Sequence, residues 1–518
     1  MAGKNIQNIA IVSGSTLGSR VLGLFRDVLL FAFLGAGAIN SAFIFAFTLP
    51  NLFRRLLGEG ALTSALIPVF SETLESKGKE EAFRFLNQVL SWAFALLVVL
   101  IACGIWALAG LSEVSSLEER WYLGAFLGMV LMPYMLFICL AAVVSAVLNV
   151  LGRFAVTALS PMWLNLSMIA SLAGVAWVYA QTPVQTVYCL CAGVLVGGFL
   201  QLITPVWALW REGWVLRLDF RVTQSLKEVG RLFVPGVLGA AVYQINIVVS
   251  RMLAFGLNAS AVSVLYLANR LIELPMGVFA IAVATVVFPN LSLLVARGDT
   301  EGIGKAYGQG MRLIFAITVP AALGLIILCK PILVLLFEWG KFGAGDVALS
   351  APVLMIYALG LPFYSLGMFA TRGFHALKDT KTPVKVACLS FVVNVVLSLL
   401  LMRMWGTAGL ATANILSAAV HGFVLHRLLV KKASAFSLMG FVRPLSHIAV
   451  ATAAMSFSVM GILHLCAGGV TKQMALLAVA IGIPLAIIVY ATFLWMLDFE
   501  DAEEVSGLIR KITGKAVA

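Results

Sequence analysis

Apolar stretches long enough to cross a membrane follow one another along nearly the whole chain, from Ile6 to Leu497. A helix needs about 20 apolar residues to span roughly 30 Å of hydrocarbon, so this succession leaves no room for a large water-soluble domain. Composition agrees: 62% of the 518 residues are hydrophobic, 11% are charged and mean hydropathy is +1.04, whereas soluble chains are about a quarter charged. The sequence is that of an integral membrane protein, and the net charge of +12 does not signal nucleic acid. Because lipid offers no partner for a bare peptide group, the spans are expected to be helices, which gives an all-α polytopic fold.

Hydropathy and helix breakers together mark fourteen spans, near 8–34, 38–57, 85–110, 121–150, 155–180, 184–210, 230–257, 261–290, 308–329, 350–376, 384–402, 407–430, 444–467 and 473–497. The connecting segments alternate in Lys and Arg. One set holds 24 basic residues, among them Arg153, Arg217, Arg221, Lys378 and Lys432, and the other holds five: Arg120, Lys330, Lys341, Arg403 and Lys472. Basic loops stay on the cytoplasmic side, so both termini are expected there. The first apolar stretch carries Arg20 and Arg26 and lacks an A-x-A site, which argues against a cleaved signal peptide.

Little in the sequence suggests catalysis. The seven cysteines and five histidines show no metal-ligand spacing. Gly302-Ile303-Gly304-Lys305 lacks the spacing and hydroxyl residue of a phosphate-binding loop, and no nucleophile is set beside a base. No catalytic residue, metal or cofactor is expected, and transport is the main reading.

Six arginines fall within or at the edges of spans: Arg20, Arg26, Arg54, Arg55, Arg251 and Arg270. Only three acids accompany them: Asp27, Glu59 and Glu273. Each arginine at the bilayer centre costs ~3 kcal/mol, so these side chains are expected to line a hydrated cavity. Arg54 and Arg55 can instead snorkel from the end of the second span, with Arg55 pairing Glu59 at i+4. Arg20, Arg26 and Arg270 carry the functional expectation. Arg20 and Asp27, seven apart, share a helix face, whereas Arg26 needs an irregularity at Gly23 to join them. Gly14, Gly18 and Gly23 in the first span, Pro50 in the second and Pro275 in the eighth suggest broken helices beside these charges. The excess of arginine favours an anionic substrate, and guanidinium suits phosphate or carboxylate oxygens held in pairs.

A faint repeat runs through the chain. LGAGAINSAF from Leu34 lies over LNASAVSVLY from Leu257, Pro68 over Pro289, and Pro133 and Asn165 over Pro362 and Asn394. The unit is about six spans, so two parallel six-helix lobes are expected in residues 1–211 and 212–432, with the site between them and two extra helices in 433–518.

SRVLGLFRD (Ser19–Asp27), FLGAG (Phe33–Gly37), LPNLFRRLLGEGAL (Leu49–Leu62), LANRLIELPMGV (Leu267–Val278) and KDTKTPVKVA (Lys378–Ala387) closely resemble the MviN/MurJ family of lipid II flippases, and the resemblance covers essentially the whole chain. It implies the fold of the multidrug/oligosaccharidyl-lipid/polysaccharide exporter superfamily: two six-helix lobes in a V, and last two helices forming a groove for a polyprenyl tail. It implies as substrate the undecaprenyl-pyrophosphate-linked disaccharide pentapeptide of peptidoglycan synthesis, moved from the inner to the outer leaflet of the bacterial cytoplasmic membrane. Membrane lipids and cell-wall synthesis proteins are the other implied partners. By motif, the implied substrate-binding residues are Ser19, Arg20, Arg26, Asp27, Asn51, Arg54, Arg55, Glu59, Arg270 and Glu273. Two positions depart from the family pattern: Ser41 and Asn269 stand where relatives often carry Asp. Asn394 and Thr412 fall near a family sodium site, but Ser398 stands where an acid is expected, and no sodium site is assigned.

The reading that follows is a lipid II flippase in which arginines hold the pyrophosphate and rocking lobes expose the site to alternate sides. A −2 charge leaving a negative interior at ~100 mV gains roughly 4.6 kcal/mol. The alternatives are a flippase for another polyprenyl-linked oligosaccharide and a membrane scaffold that binds anionic lipid without moving it.

Overall fold

The computed structural model describes residues 2–114, 118–282, 287–432, 439–465 and 471–499. The described residues form helices and connecting turns, as backbone in hydrocarbon requires. They fall into two compact units, one from Met1–Ser263 with Trp339–Phe342, the other from Val264–Glu338 with Gly343–Ala518.

The first unit contains α1 (Ala2–Leu34), α2 (Ala38–Phe53), a π-helical stretch (Arg54–Ala61), α3 (Leu62–Ser112), α4 (Glu119–Leu131) and α5 (Tyr134–Val150). α6 (Phe154–Ala170) follows and passes through a second π-helical stretch (Ser171–Ala176) into α7 (Trp177–Tyr179), before α8 (Pro183–Arg211) and α9 (Gln224–Leu257). Its core joins Leu66 and Phe70 with Leu86 of α3, Val143 and Leu148 of α5, and Leu209 of α8. The chain enters the second unit within α10 (Ala261–Ala282).

The second unit continues with α11 (Phe288–Arg297), α12 (Thr300–Ile327), α13 (Cys329–Phe337), α14 (Ala344–Leu359) and α15 (Leu361–Ala376). α16 (Lys381–Val430), α17 (Met439–Leu465) and α18 (Lys472–Met496) complete it. α17 and α18 pack on each other and on α12 through Ile448, Met455 and Val459, and the Tyr490 hydroxyl donates to the Ala316 carbonyl at 2.6 Å.

Among the described residues, each of the fourteen apolar segments lies mostly on helix. By length and composition, eight helices among the described residues can cross a membrane, or ten if the bent pairs α4–α5 (41°) and α14–α15 (42°) are single spans. Two of the eight, Ala38–Ser112 and Lys381–Val430, are interrupted by residues outside helical geometry, the first at Gly60 (φ −110°, ψ −105°) and Gly78 (φ 82°), the second at Gly406 (φ 55°). Each therefore holds two of the segments expected from hydropathy.

The broken helices expected in the first two spans are corrected by the structure. α1 runs unbroken through Gly14, Gly18 and Gly23. α2 continues past Pro50 and relaxes into the π-helical turn beginning at Arg54. A proline removes one donor and crowds the preceding turn, and a wider turn accommodates the mismatch. α10 likewise passes through Pro275.

Left-handed turns recur at the interval of the repeat, Gly78 with Gly298 and Gly152 with Lys378. After Gly152, Arg153 Nε meets Glu212 Oε1 at 2.7 Å, and Lys79 Nζ meets Glu212 Oε2 at 3.0 Å. After Lys378, Asp379 Oδ2 accepts from Lys432 Nζ at 2.6 Å and from the Thr382 hydroxyl at 2.7 Å. Lys79 and Arg153 hold the Glu212 carboxyl below its ordinary range, and Lys432 does the same for Asp379.

Candidate functional site

α1 packs along α6 and carries the most deeply buried charge pair of the first unit. Asp27 has no exposed surface and Arg26 keeps 9%. Arg26 curls back on its chain neighbour, placing Nε 3.0 Å and Nη2 2.7 Å from Asp27 Oδ1. Nη1 reaches across to Asn165 Oδ1 of α6 at 3.0 Å, and Asn165 Nδ2 donates to the Ser19 carbonyl at 3.3 Å. Removing both charges from water costs several kcal/mol per ion unless each is hydrogen bonded, and Asn165 supplies one such bond. The sequence expectation is corrected here: Arg26 pairs with Asp27 without any irregularity at Gly23, while Arg20 is exposed. Asn165 entered the sequence reading only as a repeat match. An amide inside an apolar helix was the signal for it.

On α2, the Asn51 amide donates to the Phe47 carbonyl at 2.9 Å, and its oxygen accepts from Arg54 Nε at 3.2 Å. Arg54 is half-buried and Arg55 exposed. The side chain of Glu59 lies outside the described residues. A further guanidinium comes from α9, where Arg251 Nη1 donates to the Thr48 hydroxyl and lies 3.4 Å from the Ile44 carbonyl. The sequence reading counted Arg251 among the costly arginines but left it out of the binding set. Thr48 was missed because a lone hydroxyl in an apolar helix usually caps its own i−4 carbonyl, and Thr48 does that too, at 2.7 Å from Ile44 O.

In the second unit, Arg270 Nη1 and Glu273 Oε2 of α10 are 2.8 Å apart, with side chains 26% and 46% exposed. Glu273 Oε1 accepts from Asn269 Nδ2 at 3.2 Å. The departure at residue 269 thus has a local meaning, since an amide there steadies the carboxylate that an Asp would repel. The departure at residue 41 is similar: Ser41 Oγ lies 3.2 Å from Ser263 Oγ and accepts from the Ser263 amide at 3.3 Å, as a carboxylate could.

The hydrogen bonds and ion pairs described form small sets, around Arg26, Arg54 and Arg251 in the first unit and Arg270 in the second. Each of these guanidiniums is oriented by a carboxylate, amide or hydroxyl, and guanidinium is a cation whose geometry suits anionic oxygens. Among the described residues, no group of three or more His, Cys, Asp or Glu could hold a metal. Asn394 and Ser398 are buried, and the Thr412 hydroxyl donates to its own helix at Ala408 O, 2.9 Å.

An all-α polytopic membrane protein with arginines fixed inside apolar helices has the features of the class of membrane transporters. Residues 30–480 match the family described as lipid II flippase MurJ, and the chain belongs to that family. It is 32% identical over 514 residues to a probable lipid II flippase MurJ of Bdellovibrio bacteriovorus, covering 97% of this chain and 96% of that one. The fold is similar to a solved lipid II flippase MurJ in an inward closed conformation, with TM-score 0.77, 26% identity and coverage of 94% and 99%. A multidrug resistance MATE family transporter of the MOP superfamily shares the fold at TM-score 0.66 and 17% identity, over 80% of this chain and 95% of that one.

Proposed function

We propose that this chain carries lipid II across the bacterial inner membrane. Its arginines hold the pyrophosphate while the polyprenyl tail stays in lipid, and the site opens to the two sides in turn. The supporting observation is Arg26, kept 9% exposed and clamped by Asp27 and Asn165 inside an apolar helix of a chain that belongs to the lipid II flippase family. A guanidinium held so rigidly has already given up its side-chain freedom before an anion arrives. Arg20 and Arg270 are more exposed and meet the pyrophosphate first. Ser19, Asn51, Arg54, Arg55, Glu59 and Glu273 complete the set by orienting cations or contacting the headgroup.

We read the membrane topology as fourteen crossings with both termini cytoplasmic, from the 24 to 5 distribution of basic residues. The six-helix lobes 1–211 and 212–432 and the tail groove of α17 and α18 belong to the same proposal.

The decisive experiment reconstitutes the purified protein in vesicles and follows labelled lipid II between leaflets. Lipid II should change leaflet with wild type and stay where it was placed with Arg20→Ala. A wild-type protein that moves no lipid II in vesicles, in a strain whose depletion leaves lipid II flipping intact, would overturn the reading.

A further inference from the structure

Residues 212–223, between α8 and α9, form an extended strap pinned along one edge to α3. Buried Trp214 donates its indole N–H to Asn87 Oδ1 at 3.0 Å, and Asn87 Nδ2 donates to the Val215 carbonyl at 3.0 Å. The Asp219 amide donates to Ser91 Oγ at 2.9 Å. Gln88 Nε2 donates to Asp219 Oδ2 at 3.2 Å, and the Thr223 hydroxyl donates to Gln88 Oε1 at 2.7 Å.

Beyond buried Trp214, Val215, Leu216, Leu218, Phe220 and Val222 are exposed by 55, 62, 71, 48 and 56%. Large apolar side chains this close together, on a backbone held too firmly to fold them inward, are a surface meant to be covered. Arg217 and Arg221 are exposed between them, and Lys227 follows in the next turn. The acids are already engaged, Asp219 by Arg221 at 2.8 Å and Glu212 by Lys79 and Arg153. What the strap offers a partner is therefore apolar and cationic.

Its neighbours indicate which partner. The strap starts where the apolar helix Pro183–Arg211 ends, and there Arg211 lies over the Trp207 ring at 3.7 Å. Phe220 meets Trp92 edge-on at 5.9 Å. Tryptophan and arginine at the end of an apolar span mark the membrane–water boundary.

We propose that the strap is an anchor for anionic lipid. Its apolar ridge dips among the upper acyl carbons of the leaflet on the basic side, and Arg217 and Lys227 rest on lipid phosphates while Arg221 stays on Asp219. Each such charge strengthens attachment to an anionic surface about five-fold.

The full-length protein is placed in nanodiscs of phosphatidylcholine alone or with one third phosphatidylglycerol, and hydrogen exchange is read on a peptide covering residues 214–222. Exchange should be several-fold slower with the anionic lipid. Arg217→Gln with Lys227→Gln should remove that difference, and Leu216→Ser with Leu218→Ser should speed exchange in both discs. Unchanged exchange in the α3 peptide containing Asn87 and Gln88 reports that the variants are folded. Equal wild-type exchange in the two lipids, or a serine variant that exchanges like wild type, would overturn the proposal. The second result would leave the ridge to a protein partner.

Discussion

Arg153 and Asp379 occupy the same turn of the two repeats and carry opposite charge. Each follows a residue with positive φ, Gly152 or Lys378, and each ties the turn between two helices to the end of a later one, through Glu212 in one unit and Lys432 in the other. The two turns thus share the same kind of tie with its polarity reversed.

That tie predicts a dependence on pH. The Glu212 carboxyl lies below its unfolded value of about 4.3. The stabilisation is therefore complete above that value and is lost as pH falls through the lower, folded one. Lys79 and Arg153 are 46% and 62% exposed, so water screens the pair to about 0.5 kcal/mol. Thermal unfolding in detergent should separate wild type from Glu212→Gln at pH 7, and the two should converge as the pH falls below the unfolded carboxyl value.

Arg26→Ala should destabilise as well as inactivate. It leaves the Asp27 carboxylate buried without its cation, a loss of about 3 to 5 kcal/mol. Adding Asp27→Ala should recover part of the melting temperature but none of the transport. An Arg26→Ala protein that melts like wild type would show that the pair is not buried in the membrane.

Arg20→Ala and Arg270→Ala should behave differently. Arg20 is exposed, and Arg270 and Glu273 form a pair whose side chains are 26% and 46% exposed, so stability should move by about 1 kcal/mol or less. Cells dependent on either variant should nonetheless stop growing, at normal membrane abundance. Growth at the wild-type rate would remove that arginine from the substrate path.

Gly340→Ala tests the short segment Trp339–Phe342. Gly340 has φ 58°, and a Cβ there would meet the Ala32 carbonyl oxygen at 2.3 Å. The Lys341 amide donates to that same carbonyl at 2.8 Å. The alanine should cost about 1 to 3 kcal/mol, read as a lowered melting temperature, whereas Gly343→Ala should be nearly neutral, since a Cβ there meets nothing within 4 Å.

Helix content and the apolar segments were legible because burial in lipid writes itself as runs of Leu, Val, Ile and Ala. The arginines were legible because each one interrupts such a run. Their partners were harder to read. Asn165 lies 139 residues from Arg26, and one amide among apolar neighbours says nothing of which guanidinium it meets. The glycines and prolines misled for a related reason: helical packing absorbed Gly14, Gly18 and Gly23 outright and spread the effect of Pro50 into a π turn. The strap was invisible to a search for long apolar runs, since WVLRLDFRV sets charged residues between its apolar ones within nine residues.

Trp339–Phe342 belongs to the first unit although the chain on either side of it belongs to the second. Phe342 is buried with its ring edge-on to Phe31 at 5.5 Å. During synthesis the ribosome makes Phe31 first and must then produce α11, α12 and α13 before Phe342 exists. The opening helix therefore waits in the bilayer with one aromatic face uncovered, and a fragment ending at Ser263 lacks that lining however well its helices insert.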